Sequence, residues 1–409
     1  MNRAAPKGMR LHIGIFGRRN VGKSSLLNAI TRQQVSIVSD FAGTTTDPVE
    51  KPMELLPLGP VLFIDTAGLD DCGDLGQLRV EKTRRIFDRT DLALLVTVAG
   101  EWGAFENNIL HELEEREIPT VVVFNQCDRS TPLPDTEERL EKSGCQVART
   151  EAANGKGLAD LRLAMIAAAP AEFVENPAIV ADLVDPGEMA VLVVPIDKEA
   201  PKGRLILPQV QSIRDLLDND SFCIVVKERE LKEALERLTR PPQLVVTDSQ
   251  AFLKVAADTP DDIPMTSFSI LFARFKGDLV SMTEGVLAID RLHPGDRILI
   301  AESCSHHPIA DDIGRVKIPR WLTQYVGGKL EFDFIQGHDF EDDLSGYSLV
   351  IHCGACTTNR REVMTRALRC RRQGVPMTNY GLAIAHSLGV LPRALVPFPA
   401  AYEVYVKGI

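Results

Sequence analysis

The chain has 409 residues, 44% hydrophobic and 25% charged, and its 57 acidic against 46 basic side chains leave a formal charge of -11. No apolar run approaches the ~18 residues of a membrane span, and the negative balance opposes phosphate backbones and acidic lipid surfaces, so neither a membrane nor a nucleic acid is an expected partner. At ~100 to 200 residues per domain, this length predicts two to four domains, each able to bury its own core. Cys72, Cys127, Cys145 and Cys223 lie apart from any cluster, and the short apolar stretch Leu11 to Phe16 runs directly into a glycine-rich cationic loop. Both features predict a cytoplasmic protein rather than a secreted one.

Taken in chain order, the β-branched runs Val61 to Ile64, Leu92 to Val98 and Thr120 to Phe124 alternate with helical stretches, the pattern of a parallel α/β domain over residues 1–172. Beyond Pro170, Pro177 and Pro186, strands are predicted at Met189 to Ile196, Phe222 to Val226 and Leu244 to Thr247, with a helix at Leu231 to Leu238. That is a second, small α/β domain over 178–264. Asp258 to Pro264 reads as a linker into a third unit, 265–409, with strands at Arg297 to Ala301 and Tyr347 to Ile351 and a helix at Asn359 to Arg372.

Gly17-Arg18-Arg19-Asn20-Val21-Gly22-Lys23-Ser24 fits G-x-x-x-x-G-K-S between the first strand and a helix starting at Ser25, the context a phosphate-binding loop requires. Its glycines let backbone N–H groups, including those of Val21, Gly22 and Ser25, wrap phosphates at a helix N-terminus, while Lys23 neutralises β and γ oxygens and Ser24 offers a hydroxyl to Mg²⁺. Asp65-Thr66-Ala67-Gly68, at the end of a strand, can hold Mg²⁺ through Asp65 and sense a γ-phosphate through the Gly68 N–H. Asn125-Gln126-Cys127-Asp128 places the Asp128 carboxylate where it could accept both N1 and N2 hydrogens of guanine, which adenine cannot supply. Glu151-Ala152 stands where a backbone N–H would meet guanine O6.

These segments resemble the translation-factor-related GTPases, in particular the branch of the tRNA-modification GTPase and the ribosome-assembly GTPase Era. Within that branch Gly43-Thr44-Thr45-Thr46-Asp47 matches G-T-T-R-D, except that Thr46 stands where arginine is usual. The resemblance implies that Thr44 and Thr45 contact nucleotide, Thr45 as a Mg²⁺ and γ-phosphate ligand. It also implies that Asn20 marks potassium activation, with K⁺ between the phosphates in the place of an arginine finger, so that Lys23, Asn20 and Thr45 carry catalysis. Leu69 occupies the position of the water-positioning glutamine, which predicts slow hydrolysis. Two departures stand out: Gln126 replaces the usual lysine, predicting weaker guanine affinity, and Glu151 replaces the usual serine.

Cys304-Ser305-His306-His307 and His352-Cys353-Gly354-Ala355-Cys356 each follow a predicted strand. If both strands share one parallel sheet, the ligands meet outside its carboxyl edge, where α/β sheets bind ligands. The helix after Cys356 favours thiolate at its N-terminus. By spacing alone a structural Cys₃His zinc site and a three-cysteine iron-sulfur site both stand open, with zinc ahead because closed tetrahedral sites are frequent. Cys370, within that helix, reads as a small buried apolar residue. Arg360, Arg361, Arg366, Arg369, Arg371 and Arg372 read as a solvated helix face or as an attractor of anions.

C-x-H followed by H-C-x-x-C, downstream of a potassium-type GTPase domain and a small α/β domain, resembles the iron-iron hydrogenase maturation GTPases, the HydF family. The likeness extends to Pro201-Lys202-Gly203-Arg204-Leu205 and Asp312-Ile313-Gly314-Arg315. It implies a P-loop GTPase domain, an α/β dimerisation domain and an α/β cluster-binding domain. The cofactors implied are GTP/GDP, Mg²⁺, K⁺ and a 4Fe-4S cluster on Cys304, Cys353 and Cys356, with His306, His307 and His352 as candidates for the fourth iron ligand. The function implied is a scaffold that carries a di-iron subcluster precursor from radical-SAM maturases to apo-hydrogenase, as a homodimer or a higher oligomer. Two rivals are an RNA-directed GTPase with a structural zinc site and a redox enzyme. The acidic charge and the lack of a KH-type G-x-x-G weigh against the first, and the lack of a flavin or NAD fingerprint weighs against the second.

Overall fold

A computed structural model describes residues 6–32, 49–55, 58–66, 85–174, 178–195, 205–303 and 312–408. The switch residues Thr44, Thr45, Gly68 and Leu69, and the first cysteine motif with Cys304, His306 and His307, lie outside the described residues.

The chain forms two compact units, 1–177 and 178–409. In the first, six strands are ordered β2-β3-β1-β4-β5-β6: β1 (Leu11–Phe16), β2 (Val49–Leu55), β3 (Gly59–Asp65), β4 (Leu92–Val98), β5 (Thr120–Asn125) and β6 (Gln146–Arg149). All neighbours run parallel except β2, which pairs antiparallel with β3 at the edge. Apolar runs continuous along β4 and β5 bury both faces of the sheet. Leu94, Val96, Val121 and Val123 enter one core, while Ala93, Leu95, Val122 and Phe124 enter the other. The alternation follows from the two-residue period of a strand.

The second unit holds two four-stranded parallel sheets over one continuous core. The first is ordered β10-β9-β7-β8, from β7 (Met189–Val193), β8 (Phe222–Val226), β9 (Leu244–Thr247) and β10 (Met265–Ser267). The second is ordered β12-β11-β13-β14, from β11 (Arg297–Glu302), β12 (Glu331–Gln336), β13 (Leu349–His352) and β14 (Met377–Asn379). Asp258 to Pro264 connects the helix Phe252–Asp258 to β10, which pairs with β9. The linker expected there is therefore an internal helix-to-strand connection, and the first sheet runs past residue 264.

A candidate guanine nucleotide site and a candidate thiolate metal site

The P-loop joins β1 to the helix Lys23–Arg32. Gly17 has φ +144°, and a Cβ there would sit 2.2 Å from the Val96 carbonyl oxygen, so only glycine lets the loop approach β4. Gly22, at φ +95°, leaves the same kind of space for the Asn125 amide nitrogen, 2.3 Å from where a Cβ would lie. Lys23 is buried, and its Nζ donates to the carbonyls of Gly17 at 2.7 Å and Arg18 at 2.6 Å. Arg18 points away to the buried Glu106, with Nε and Nη2 donating to its carboxylate at 2.7 and 3.0 Å. Val21 is buried in the core, whereas Asn20 is exposed in the left-handed region at φ 64°.

Exposed Ser24 donates its hydroxyl to Asp65 Oδ2 at 3.0 Å, as a shared Mg²⁺ site requires. Asp65 Oδ1 is buried without a hydrogen-bond partner. Burial raises this carboxyl above its ordinary range, although the Ser24 bond and the Lys23 charge oppose the shift. A buried, unpartnered carboxylate oxygen beside a hydroxyl fits a divalent cation.

Asn125, 2% exposed, ties the base-recognition loop to its neighbours. Its Nδ2 donates to the Val21 carbonyl at 2.9 Å, and its Oδ1 accepts from Thr150 Oγ1 at 3.0 Å and the Ala152 N–H at 3.1 Å. Gln126, left-handed at φ 59°, donates from Nε2 to the Asn20 carbonyl at 3.1 Å. The loop thus keeps a P-loop contact without the lysine. Asp128 stays open to solvent, with Arg129 Nε 3.8 Å away. Glu151 pairs with Lys156 at 2.8 Å, closing the turn that carries Ala152.

In the second unit β11 and β13 are adjacent and parallel, with Ala301 opposite His352, so the strand that precedes Cys304 and the strand that leads into Cys353 end at the same carboxyl edge. Ser303, the last described residue before Cys304, donates its N–H to Cys353 Sγ at 3.1 Å. Cys353 N–H in turn donates to the Ala301 carbonyl at 2.9 Å, and the loop to Cys356 turns through left-handed Ala355 at φ 53°. Burial raises the Cys353 thiol, but His352 and the Ser303 amide lower it by more, to about 6. Cys356 is pushed up to about 11 by burial and then by the Cys353 charge. A thiolate one loop away from a thiol awaiting a counter-charge suits a cation or a metal cluster. Cys370 is 1% exposed and pushed up to about 12 by burial, an inert core residue as expected.

Two features were not apparent from the sequence. Glu302, 2% exposed at the end of β11, accepts from Tyr380 Oη at 3.3 Å and Gln336 Nε2 at 3.1 Å, adding a buried oxygen donor beside the cysteine motifs. The arginine helix, Arg360–Arg372 with Asn359 as its N-cap, is neither wholly solvated nor wholly free to attract anions. Arg360 donates to the Phe275 and Gly277 carbonyls at 3.1 and 2.8 Å, Arg366 is 3% exposed, and only Arg371 and Arg372 of the six are exposed.

Residues 179–277 match the hydrogen maturase F dimerization domain and residues 280–397 the hydrogen maturase F tetramerization domain, behind a 50S ribosome-binding GTPase match over 12–126. The chain belongs to the hydrogen maturase F family. Its first unit is a GTPase domain, and the two family-specific domains are modules of self-association. Among curated relatives, the tRNA modification GTPase MnmE of Synechococcus elongatus is 37% identical over 167 residues, 39% of this chain and 34% of that protein. GTPase Der of Wolinella succinogenes is 36% identical over 141 residues, 33% of this chain and 29% of that protein. The chain thus spans about a third of the length of the curated relatives it matches. Among solved structures, Aquifex aeolicus Era bound to GDP·AlF4⁻ is 17% identical, with 80% of this chain and 92% of that one covered at a TM-score of 0.33. The G domain of T. maritima FeoB is 22% identical, with 39% and 98% covered at a TM-score of 0.31. Among the described residues no helix is long and apolar enough to cross a membrane.

Proposed function

We propose that the chain is a cytoplasmic hydrogenase maturation GTPase that holds a di-iron subcluster precursor near a 4Fe-4S cluster and transfers it to apo-hydrogenase. The observation that carries this reading is the Ser303 N–H to Cys353 Sγ contact, which ties the residue preceding Cys304 to the second cysteine motif. Cys304, Cys353 and Cys356 would hold the cluster, which supplies an iron site where a further group can bind. The thiol of Cys353, already lowered to about 6, is ready to ligate near neutral pH. Family membership supports the hydrogenase target, with radical-SAM maturases as the source of the precursor.

In the first unit Lys23 and the P-loop amides would bind the phosphates of GTP, Ser24 and Asp65 would hold Mg²⁺ with Thr45, and Asn20 would bind K⁺. Asp128 and the Ala152 N–H read the base. Hydrolysis is slow, since Leu69 cannot orient water, and the nucleotide state acts on partner association rather than on cluster chemistry. Dimerisation through the middle domain suits the edge of β8, unpaired among the described residues, where Phe222 is 63% and Val225 43% exposed.

Anaerobic reconstitution with iron and sulfide, followed by metal analysis and EPR, tests the cluster assignment. We expect about four irons and four sulfides per chain, the composition of a 4Fe-4S cluster, lost on substituting any one of Cys304, Cys353 or Cys356. Stoichiometric zinc without sulfide would overturn the reading and favour an RNA-directed GTPase with a structural zinc site.

A further inference from the structure

His352, 1% exposed at the end of β13, sits between two fixed partners. Its Nδ1 lies 2.8 Å from the Cys353 carbonyl oxygen and its Nε2 3.0 Å from Arg366 Nη1. A guanidinium has N–H groups and no lone pair to offer, so Nε2 must accept, which assigns the ring proton to Nδ1 and makes Nδ1 the donor to the Cys353 carbonyl. Both ring nitrogens then face protein partners, and the ring also lies against the Cys353 thiol, which it lowers. Arg366 is itself held in place: Nη2 donates to Glu362 Oε1 at 2.6 Å and to the Gly337 carbonyl at 2.7 Å, and its guanidinium lies 5.2 Å from the Phe340 ring centroid. Glu362 meets His338 Nδ1 at 3.0 Å, where the side chain is 38% exposed. The result is a continuous brace from the surface to the backbone of Cys353. Turning His352 toward a metal would strand a buried cationic donor and free the Cys353 carbonyl.

We infer that Arg366 is a positioning residue for the Cys353 to Cys356 loop, acting through His352, and that His352 braces this loop rather than ligating the cluster. The inference rests on the reading of the cysteines as cluster ligands. It removes His352 from the candidates for the fourth ligand, and assigns to two residues of the arginine helix, Glu362 and Arg366, the task of holding the loop against β11. An outer brace of this kind affects how tightly iron is kept, not which atoms bind it.

The test compares wild-type protein with His352→Gln, Arg366→Lys and Arg366→Met, all full-length and labelled with ¹⁵N-histidine. After reconstitution with iron and sulfide, His352→Gln should keep the g-values and the histidine hyperfine pattern of the wild type in pulsed EPR. Bathophenanthroline should strip iron roughly 10- to 100-fold faster from His352→Gln and Arg366→Met, with Arg366→Lys, which keeps one donor, in between. A histidine coupling lost in His352→Gln, a shifted g-tensor, or stripping rates equal to wild type would overturn the inference. Should the wild type take up zinc and no sulfide, it is the cluster reading that fails. The brace is then read on metal-free protein by ¹⁵N NMR, which should show His352 protonated at Nδ1 and bare at Nε2, and a proton on Nε2 refutes it. If Arg366→Met does not fold, Arg366→Lys carries the same comparison.

Discussion

Asn125 is the point at which the nucleotide site should be easiest to break from inside. Replacing it with alanine removes the bond to the Val21 carbonyl and both bonds accepted from Thr150 and Ala152. All lie in the buried interior, where a net bond contributes about 1 kcal/mol and an orphaned partner costs more, so the three together amount to about 3 kcal/mol. At 1.4 kcal/mol per tenfold, this corresponds to about a 150-fold loss of nucleotide affinity if all of it falls on the bound geometry. Part of it will appear instead as lowered thermal stability, so a 10- to 100-fold weakening of GDP binding by Asn125→Ala is the expected range. Asn125→Asp sharpens the test. It keeps both acceptor bonds to the Ala152 loop but turns an oxygen toward the Val21 carbonyl, so it should weaken phosphate binding while leaving the preference for guanine over adenine intact. Titration with a fluorescent GDP analogue, with thermal unfolding of the same samples, measures both quantities. Affinities within threefold of wild type for both variants would show that the P-loop does not depend on this side chain.

Gln126→Leu deletes the bond to the Asn20 carbonyl and should weaken GDP binding roughly 2- to 10-fold, the worth of one neutral hydrogen bond. Gln126→Lys, which restores a longer cationic donor, should tighten it modestly without altering base preference, and weaker binding would show that the left-handed loop cannot aim a lysine. Hydrolysis of GTP should be faster in K⁺ than in Na⁺, and Asn20→Ala should abolish the difference; equal rates in wild type would remove the potassium assignment. His12 is buried with Nε2 donating to the Lys7 carbonyl at 3.1 Å, and burial lowers it from 6.5 to about 4. Between those values the unfolded chain binds a proton that the folded one refuses, so stability of the first unit falls as pH drops from 6.5 toward 4, by about 3 kcal/mol. Denaturant titrations followed through Trp102, in a chain carrying Trp321→Phe, should show this loss and its disappearance in His12→Gln; a slope unchanged by the substitution refutes it.

What could be read in the sequence followed the strength of its local signals. The bounds of β1, β4, β8 and β9 coincide with apolar or β-branched runs, and the P-loop falls between β1 and a helix as its glycines require. Three other edge strands were not visible. β2 reads VEKPMEL, with a proline and three charges, and is tolerated because one side of it has no strand partner among the described residues. β10 and β14 have three residues each, too few for any period to show. Missing β10 moved a domain boundary into the interior of a sheet. At the candidate thiolate site the placement of Cys353 and Cys356 was legible because their segment follows a strand, whereas the bracing of His352 was not, because Arg366, held by Gly337 and Glu362, reaches it from elsewhere in the chain.

The arginine helix shows why counting charges could not separate a solvated face from an anion trap. Arg366 and Glu362 form an ion pair with side chains 3% and 6% exposed. Desolvating two such charges costs several kcal/mol, and a well-packed apolar pair of similar volume is often as stable, so the pair is weak evidence of stabilisation. An apolar pair would nevertheless leave the Gly337 carbonyl without its Arg366 donor, and likewise His352 Nε2, in the segment that leads into Cys353. Breaking only one member strands the other charge in the core at about 3 to 5 kcal/mol. The same charges that make this helix look like surface are therefore the ones the fold can least easily exchange, and they lie against the loop that carries two of the three thiols.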